Sequence, residues 1–321
     1  MTAATDGNLT IVLGPSSTST LMVSTDGGVT FNVVNHNLTG GNCSDVAWVP
    51  WLSMFVAVTS STNSINISTS SNGLSWTAAA TVPLSSINGS NALLGVGSNQ
   101  LCVVAGTNAS TSGCIITSTN GTNWTVQNPP ALVIGYAIRP VYGANGWVIG
   151  SANLASLFLT SVNGTVWVLR TGPAICNAIY YFAGQYVLYS NGLYVSSDGV
   201  NWTARGTISA PGSGLASLIS GYFFSDGQRL ITMVGVPGGS QFADLILITT
   251  DLTNWQHQST NLSGAVYAGA KCVNGLALFG APASATTILQ NWPNTSYVGS
   301  SASLAVTGMI GCNGVIYLRV R

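Results

Sequence analysis

The chain has 321 residues, 7 of them Lys or Arg and 7 Asp, with no Glu, for a formal net charge of zero. Charged residues make up 4% of it, against roughly 25% in an ordinary soluble domain. This composition excludes binding to a run of phosphates, which needs a basic cluster. It also excludes charge-driven disorder, since 46% of the residues are apolar. Long helices and coiled coils want the Ala/Glu/Lys/Leu/Arg mixture that is missing here.

The mean hydropathy is +0.42, yet the apolar runs are four to eight residues long, too short to insert in a membrane as helices. The first seven residues are polar and lack the basic and apolar regions of a secretory leader. Strands are then predicted at 9–14, 20–24 and 30–34, separated by Gly/Ser/Thr/Asn turns. From there one short pattern recurs along the chain: hydroxyl residues, an Asp or Asn, usually a Gly, two variable positions and an aromatic. Its copies centre on Asp26 (aromatic Phe31), Asn72 (Trp76), Asn120 (Trp124), Asn163 (Trp167), Asp198 (Trp202) and Asp251 (Trp255), with a decayed one near Trp292. The spacings are 46, 48, 43, 35, 53 and about 40 residues, which fits a unit of four short strands. The clearest unit reads as strands at 177–182, 185–190, 193–197 and 202–205. Nothing shows a 3.6-residue period with helix caps. The last predicted strands are 304–311 and 315–320.

The recurring turn has a local cause. An Asp or Asn side chain accepts from backbone N–H groups two residues on, and the Gly takes a positive φ without a Cβ penalty. The aromatic then folds back over the turn and onto the neighbouring unit. The pattern resembles the Asp-box (BNR) repeat of sialidase-type β-propellers, of the kind found in phage and virus surface proteins. The resemblance implies an all-β fold, a single β-propeller domain over 1–321. Seven four-stranded blades are expected, with N- and C-terminal strands closing one composite blade, and six blades as the alternative. It also implies that Asp26, Asn72, Asn120, Asn163, Asp198 and Asp251 are structural turn residues, remote from any active face.

Catalysis of the sialidase kind requires an arginine cluster, a tyrosine nucleophile and carboxylates in two roles. Asp26, Asp198 and Asp251 belong to turns, and Asp226 precedes a Gly, which leaves Asp6, Asp45 and Asp244. Arg170 and Arg205 fall on predicted outer strands. Retaining glycosidase chemistry, which needs two paired carboxylates, is therefore not expected, and neither is an enzyme of another class. His36 and His257 lie in or after outer strands, away from a Ser-His-Asp set. Two histidines and no CxxC leave a zinc site without ligands, and no cofactor is expected. Cys102 and Cys114 flank one hairpin turn, symmetric about Asn108. They are candidates for a cross-strand disulfide or for small buried apolar side chains. Without a leader, reduced thiols are expected. Trp48, Trp51, Tyr136, Tyr142, Tyr180, Tyr181 and Tyr222 lie near inner strands and either fill the core or offer rings to a sugar.

The composition points to a non-catalytic virion protein of a phage tail, fibre or capsid surface, structural or host-attaching. Its partners would be other virion proteins or copies of itself. The second reading is an extracellular lectin-type propeller for a cell-surface glycan, which would show exposed aromatics at equivalent positions; outside the turn, the aromatics do not recur in register along the sequence. Neither reading involves nucleic acid or membrane insertion.

Overall fold

The computed structural model describes residues 2–14, 20–27, 30–38, 43–61, 63–84, 92–106, 113–127, 138–152, 156–190, 192–206, 217–225, 227–235, 245–259, 268–273, 276–280, 288–291, 306–312 and 315–320. Side chains are described as far as residue 256, apart from 106, 217–222, 224, 233–235 and 245–246. The chain divides into two compact units, Met1–Thr207 and Ile208–Arg321.

The first unit holds five antiparallel sheets of four strands each, every one a simple meander. Sheet 1 is β1 (Thr2–Thr5), β2 (Ile11–Gly14), β3 (Thr20–Ser24) and β4 (Asn32–Asn35). Sheet 2 is β5 (Asp45–Val49), β6 (Met54–Ser61), β7 (Ser64–Ser70) and β8 (Thr77–Pro83). Sheet 3 is β9 (Ala92–Val96), β10 (Leu101–Gly106), β11 (Gly113–Ser118) and β12 (Thr125–Gln127). Sheet 4 is β13 (Val141–Gly143), β14 (Gly146–Gly150), β15 (Leu157–Ser161) and β16 (Val168–Thr171). Sheet 5 is β17 (Ala178–Phe182), β18 (Gln185–Tyr189), β19 (Leu193–Ser196) and β20 (Thr203–Gly206).

Side chains alternate across each strand, and the sheets stack face to face, so both faces of the middle sheets are apolar. On β6, Phe55 and Ala57 pack towards Val12, Leu21 and Val23 of sheet 1. Val56 and Val58 pack the other way, towards Leu94, Leu101 and Val103 of sheet 3. The alternation repeats onward. Cys102, Val104 and Ile115 meet Trp147, Ile149 and Leu159, and Val148 and Phe158 meet Ile179, Tyr186 and Leu188. Each fully buried Val, Leu, Ile or Phe among them contributes about 1.5–3 kcal/mol. The innermost strands β1, β5, β9, β13 and β17 run side by side, while all four residues of β20 are exposed.

The second unit contains a four-stranded sheet of β21 (Ser217–Ser225), β22 (Leu230–Gly235), β23 (Leu245–Thr249) and β24 (Gln256–Ser259). A three-stranded sheet follows, β25 (Ala268–Val273), β26 (Leu276–Gly280) and β27 (Ile288–Asn291), then the pair β28 (Val306–Cys312) and β29 (Val315–Val320). Among the described residues the only helix is the 3-10 turn Pro50–Leu52, and none is long and apolar enough to cross a membrane.

Two expectations are corrected. Sheet 1 does not borrow an inner strand from the C-terminus. Thr2–Thr5 supplies it, paired Thr2↔Gly14 to Thr5↔Ile11. Ala3 and Ala4 are buried, and their small size lets this strand sit closely against its neighbours without the β-branched bulk that marks strands in a sequence. The Cys102–Cys114 disulfide is also absent, and both thiols are free. Cys102 stands opposite Thr117 and Cys114 opposite Ala105. That offset of three residues puts the two sulfurs on opposite faces of the sheet, Cys102 towards sheet 4 and Cys114 towards sheet 2.

Candidate functional site

Where the inner strands of sheets 1 to 4 come together, β5 begins with Asp45, which is fully buried. Its Oδ1 accepts from the Thr2 hydroxyl at 2.5 Å, its own neighbour's Val46 N–H at 2.9 Å and Arg139 Nη2 at 2.8 Å. Its Oδ2 accepts from Leu94 N–H at 2.9 Å. Thr2 lies on β1, Leu94 on β9, and Arg139 just ahead of β13. One carboxylate thus joins the inner strands of three sheets to the entry of a fourth. The Cys43 thiol donates to the Asp45 carbonyl at 3.4 Å, and burial, aided by the Asp45 charge, pushes its pKa well up.

Among the described residues the Arg139–Asp45 contact is the only ion pair. The two partners differ in access: Asp45 is sealed, whereas the Arg139 side chain is 41% exposed. Sequence reasoning left Asp45 without a role and passed over Arg139, because the bond spans 94 residues. Chemically the pair is one carboxylate with both oxygens occupied and one guanidinium reaching solvent. No second carboxylate among the described residues joins it: Asp6 closes its own turn, accepting from Asn8 N–H at 2.8 Å, and Asp26, Asp198 and Asp251 lie in the recurring turns. No group of three or more His, Cys or acidic side chains among the described residues could hold a metal ion.

Five of the six turns share one geometry. Asn72 Oδ1 accepts from Leu74 N–H and Ser75 N–H, both at 2.9 Å, while Gly73 N–H donates to Ser70 Oγ at 2.8 Å. Asn120 accepts from Thr122 and Asn123 at 3.0 and 2.8 Å, and Gly121 N–H donates to Ser118 Oγ at 2.9 Å. Asn163 accepts from Thr165 and Val166 at 3.0 and 2.9 Å, and Gly164 N–H donates to Ser161 Oγ at 2.8 Å. In these three, the indole N–H of Trp76, Trp124 or Trp167 returns to the glycine carbonyl, at 2.6, 3.1 and 3.0 Å.

Asp198 accepts from Val200 and Asn201 N–H at 2.8 and 2.7 Å, and Asp251 from Thr253 and Asn254 N–H at 2.9 and 2.7 Å. The backbone N–H of Asn201 on the one, and of Asn254 on the other, is the largest cause holding these carboxyls well below the usual carboxylate range. The sixth turn carries Leu252 where the others have Gly, at φ 62°. Its N–H donates to Thr249 Oγ1 at 3.0 Å. Asp26 is arranged differently, with Thr30 N–H on Oδ1 at 2.9 Å and the Thr30 hydroxyl on Oδ2 at 2.6 Å. Trp76 and Trp167 are buried; Phe31, Trp124, Trp202 and Trp255 are half-buried. Gly73, Gly121, Gly164 and Gly199 each rest on the preceding sheet. A Cβ on Gly73 would meet Val12 and Val23 at 3.1 Å, and one on Gly199 would meet Val148 at 2.5 Å.

The aromatics do recur in register once the strands are paired. Trp48 faces Phe55, Tyr142 faces Trp147 and Tyr181 faces Tyr186, each one step in from the hairpin turn between the first two strands of its sheet. The ring centroids are 4.7, 5.1 and 5.0 Å apart. Trp48, Tyr142 and Tyr181 are all half-buried. Ser98 Oγ, in the hairpin turn of sheet 3, donates to Tyr142 Oη at 3.2 Å. Trp51 donates to the Thr119 carbonyl at 3.3 Å. Of the other sequence candidates, Tyr136 and the side chain of Tyr222 lie outside the described residues, as do Asp226, Asp244, Trp292 and the His257 ring. His36 is turn-bound and fully buried. Its Nδ1 accepts from Leu38 N–H at 3.0 Å, its Nε2 has no partner among the described residues, and burial lowers its pKa.

No family model and no curated protein matches the chain. Solved structures do. It is similar to virginiamycin B lyase from Staphylococcus aureus at 10% identity and TM-score 0.63, over 87% of this chain and 90% of that one. It is similar to apo AztD from Citrobacter koseri at 12% identity and TM-score 0.53, over 86% and 77%. YCF48, in a structure with a D1 peptide, matches at 15% identity and TM-score 0.50, over 86% of each chain. Identities this low speak to the fold alone, and these neighbours are β-propellers. The meandering four-stranded sheets described above are blades, and the chain has the β-propeller fold.

Proposed function

We propose that this propeller is a non-catalytic component of a virion surface, in a phage tail, fibre or capsid, built into the particle or attaching it to a host. Its turns are of the Asp-box type, and they act as joints between blades. The observation that carries the reading is a surface made of hydroxyls, amides and aliphatic groups in place of charge. The turn and outer strand of sheet 4 expose Val162 (82%), Val166 (66%), Val168 and Leu169. Such an edge is costly to leave in water and suits burial against another protein, whose interface cores are depleted of charge. Asp45, with its four donors, serves the scaffold in this reading.

The test is proteomics of purified particles, with copy number. The reading requires the chain at a fixed stoichiometry in washed particles. Its absence from particles, or turnover of a substrate that is lost on R139A substitution, would overturn it.

A second reading, carbohydrate binding, is favoured by Trp48, Tyr142 and Tyr181 at one inner-strand register. Aromatic rings of this kind stack on sugar faces. A glycan array separates it from purely structural packing: Y142A and Y181A should each weaken the bound spots, and an array without binding removes this reading while leaving the first intact.

A further inference from the structure

Three of the turns contain the dipeptide Asn-Gly: Asn72-Gly73, Asn120-Gly121 and Asn163-Gly164. This pair is the most prone of all dipeptides to lose its side-chain amide. The glycine nitrogen gives up its proton and attacks the Asn Cγ. Ammonia leaves and a five-membered succinimide forms. Water then opens the ring, at one carbonyl to give Asp and at the other to give the β-linked isomer. Glycine permits this because no Cβ hinders the approach.

Here all three Asn side chains are exposed to solvent, so water has access and burial does not protect them. The nucleophile is what is restrained. Each glycine N–H is buried and donates to a serine hydroxyl two residues before the Asn, at 2.8, 2.9 and 2.8 Å. Each Asn Oδ1 is held by two N–H groups further along the chain, at 2.8–3.0 Å. The glycines are fixed at φ 75°, 75° and 72°.

We propose that Asn72, Asn120 and Asn163 are latent deamidation sites, each kept as the amide by the hydroxyl of Ser70, Ser118 or Ser161 on the glycine N–H. The fold accommodates one product and not the other. Asp198 and Asp251 already occupy the equivalent position with the same backbone bonds, so conversion to Asp leaves the turn in place. The β-linked isomer adds a backbone atom and breaks the spacing on which both acceptors depend. Conversion matters electrically, because each event adds one negative charge to a chain with only 14 charged residues.

The experiment follows deamidation at each Asn by peptide mass spectrometry during incubation at mildly alkaline pH. The folded wild-type chain, the same chain in denaturant, and the variants S70A and S70T are compared. Losing a hydrogen bond to the reacting N–H predicts about a tenfold faster loss of amide at Asn72 in S70A, with Asn120 and Asn163 unchanged. S70T should keep the wild-type rate, because Thr249 plays this part in the sixth turn. The proposal is overturned if folded and denatured wild type react equally fast, if S70A reacts like wild type, if S70T reacts like S70A, or if S70A accelerates all three sites together.

Discussion

The molecule keeps its described carboxylates in two kinds of place, and the contrast shows what each place needs. Asp45 is sealed among inner strands and takes donors from three other segments of chain, Thr2, Leu94 and Arg139. Asp198 and Asp251 lie in exposed turns and take theirs from residues two or three positions on. At the turns the charge is dispensable, since Asn72, Asn120 and Asn163 make the same bonds with an amide. At the inner strands it is not. An amide there would place an NH2 against a guanidinium or an N–H, and the arginine would lose its counter-ion.

Substitutions should separate the two places. The largest effect is expected from D45A, which takes the acceptor from the Thr2 hydroxyl, Leu94 N–H and Arg139 and leaves Val46 N–H only its second bond, to Thr2 Oγ1 at 3.2 Å. Denaturant unfolding should show a loss of about 2–4 kcal/mol, from the buried Thr2 hydroxyl and Leu94 N–H left without an acceptor, and a loss below about 1 kcal/mol would mean that water replaces the carboxylate without cost. Next is G199A at a turn. It forces a side chain into the left-handed region, about 1–2 kcal/mol, and drives a methyl into Val148; a melting temperature equal to wild type would contradict the packing of turn on sheet.

Third is the acid response of His36. Its folded pKa is lowered from 6.5 by burial, so the unfolded chain binds a proton that the folded one refuses. Stability is complete above pH 6.5 and falls as pH drops below it. H36N keeps an acceptor for Leu38 N–H and should abolish that decline between pH 6.5 and 5. The smallest effect is expected from D198N. Stability at pH 7 should fall only slightly, since the amide keeps both backbone bonds and gives up the Asn201 side-chain bond on Oδ2. The wild-type carboxylate, depressed in the fold, contributes above its ordinary range near pH 4 and loses that contribution as pH falls through its folded value; D198N should lack this last acid-dependent step in a pH-stability profile.

Much of the fold was legible because the blade is a local object. The strands predicted at 177–182, 185–190, 193–197 and 202–205 appear as β17 to β20 within a residue or two, since β-branched and aromatic runs broken by Asp-Gly or Ala-Gly turns leave little choice. What escaped was non-local. Thr2–Thr5 carries no bulk that marks it as a strand. The Asp45–Arg139 pair joins residues 94 positions apart. The common register of Trp48, Tyr142 and Tyr181 emerges only when each is counted from its own hairpin turn, because the blades differ in length. The same holds for Cys102 and Cys114, whose symmetry about Asn108 was a symmetry of sequence and not of pairing.

The reach of Asp45 also bears on the order of assembly. Its bonds to Thr2, Leu94 and Arg139 span 43, 49 and 94 residues, whereas the meanders close through neighbours. Long loops close late, so these three bonds form only after the first sheets have docked, and they act as a latch. A latch absent from the transition state slows escape without hastening entry. Stopped-flow measurements on D45A should therefore show faster unfolding and nearly unaltered refolding, which makes this one side chain a determinant of how long the native state lasts.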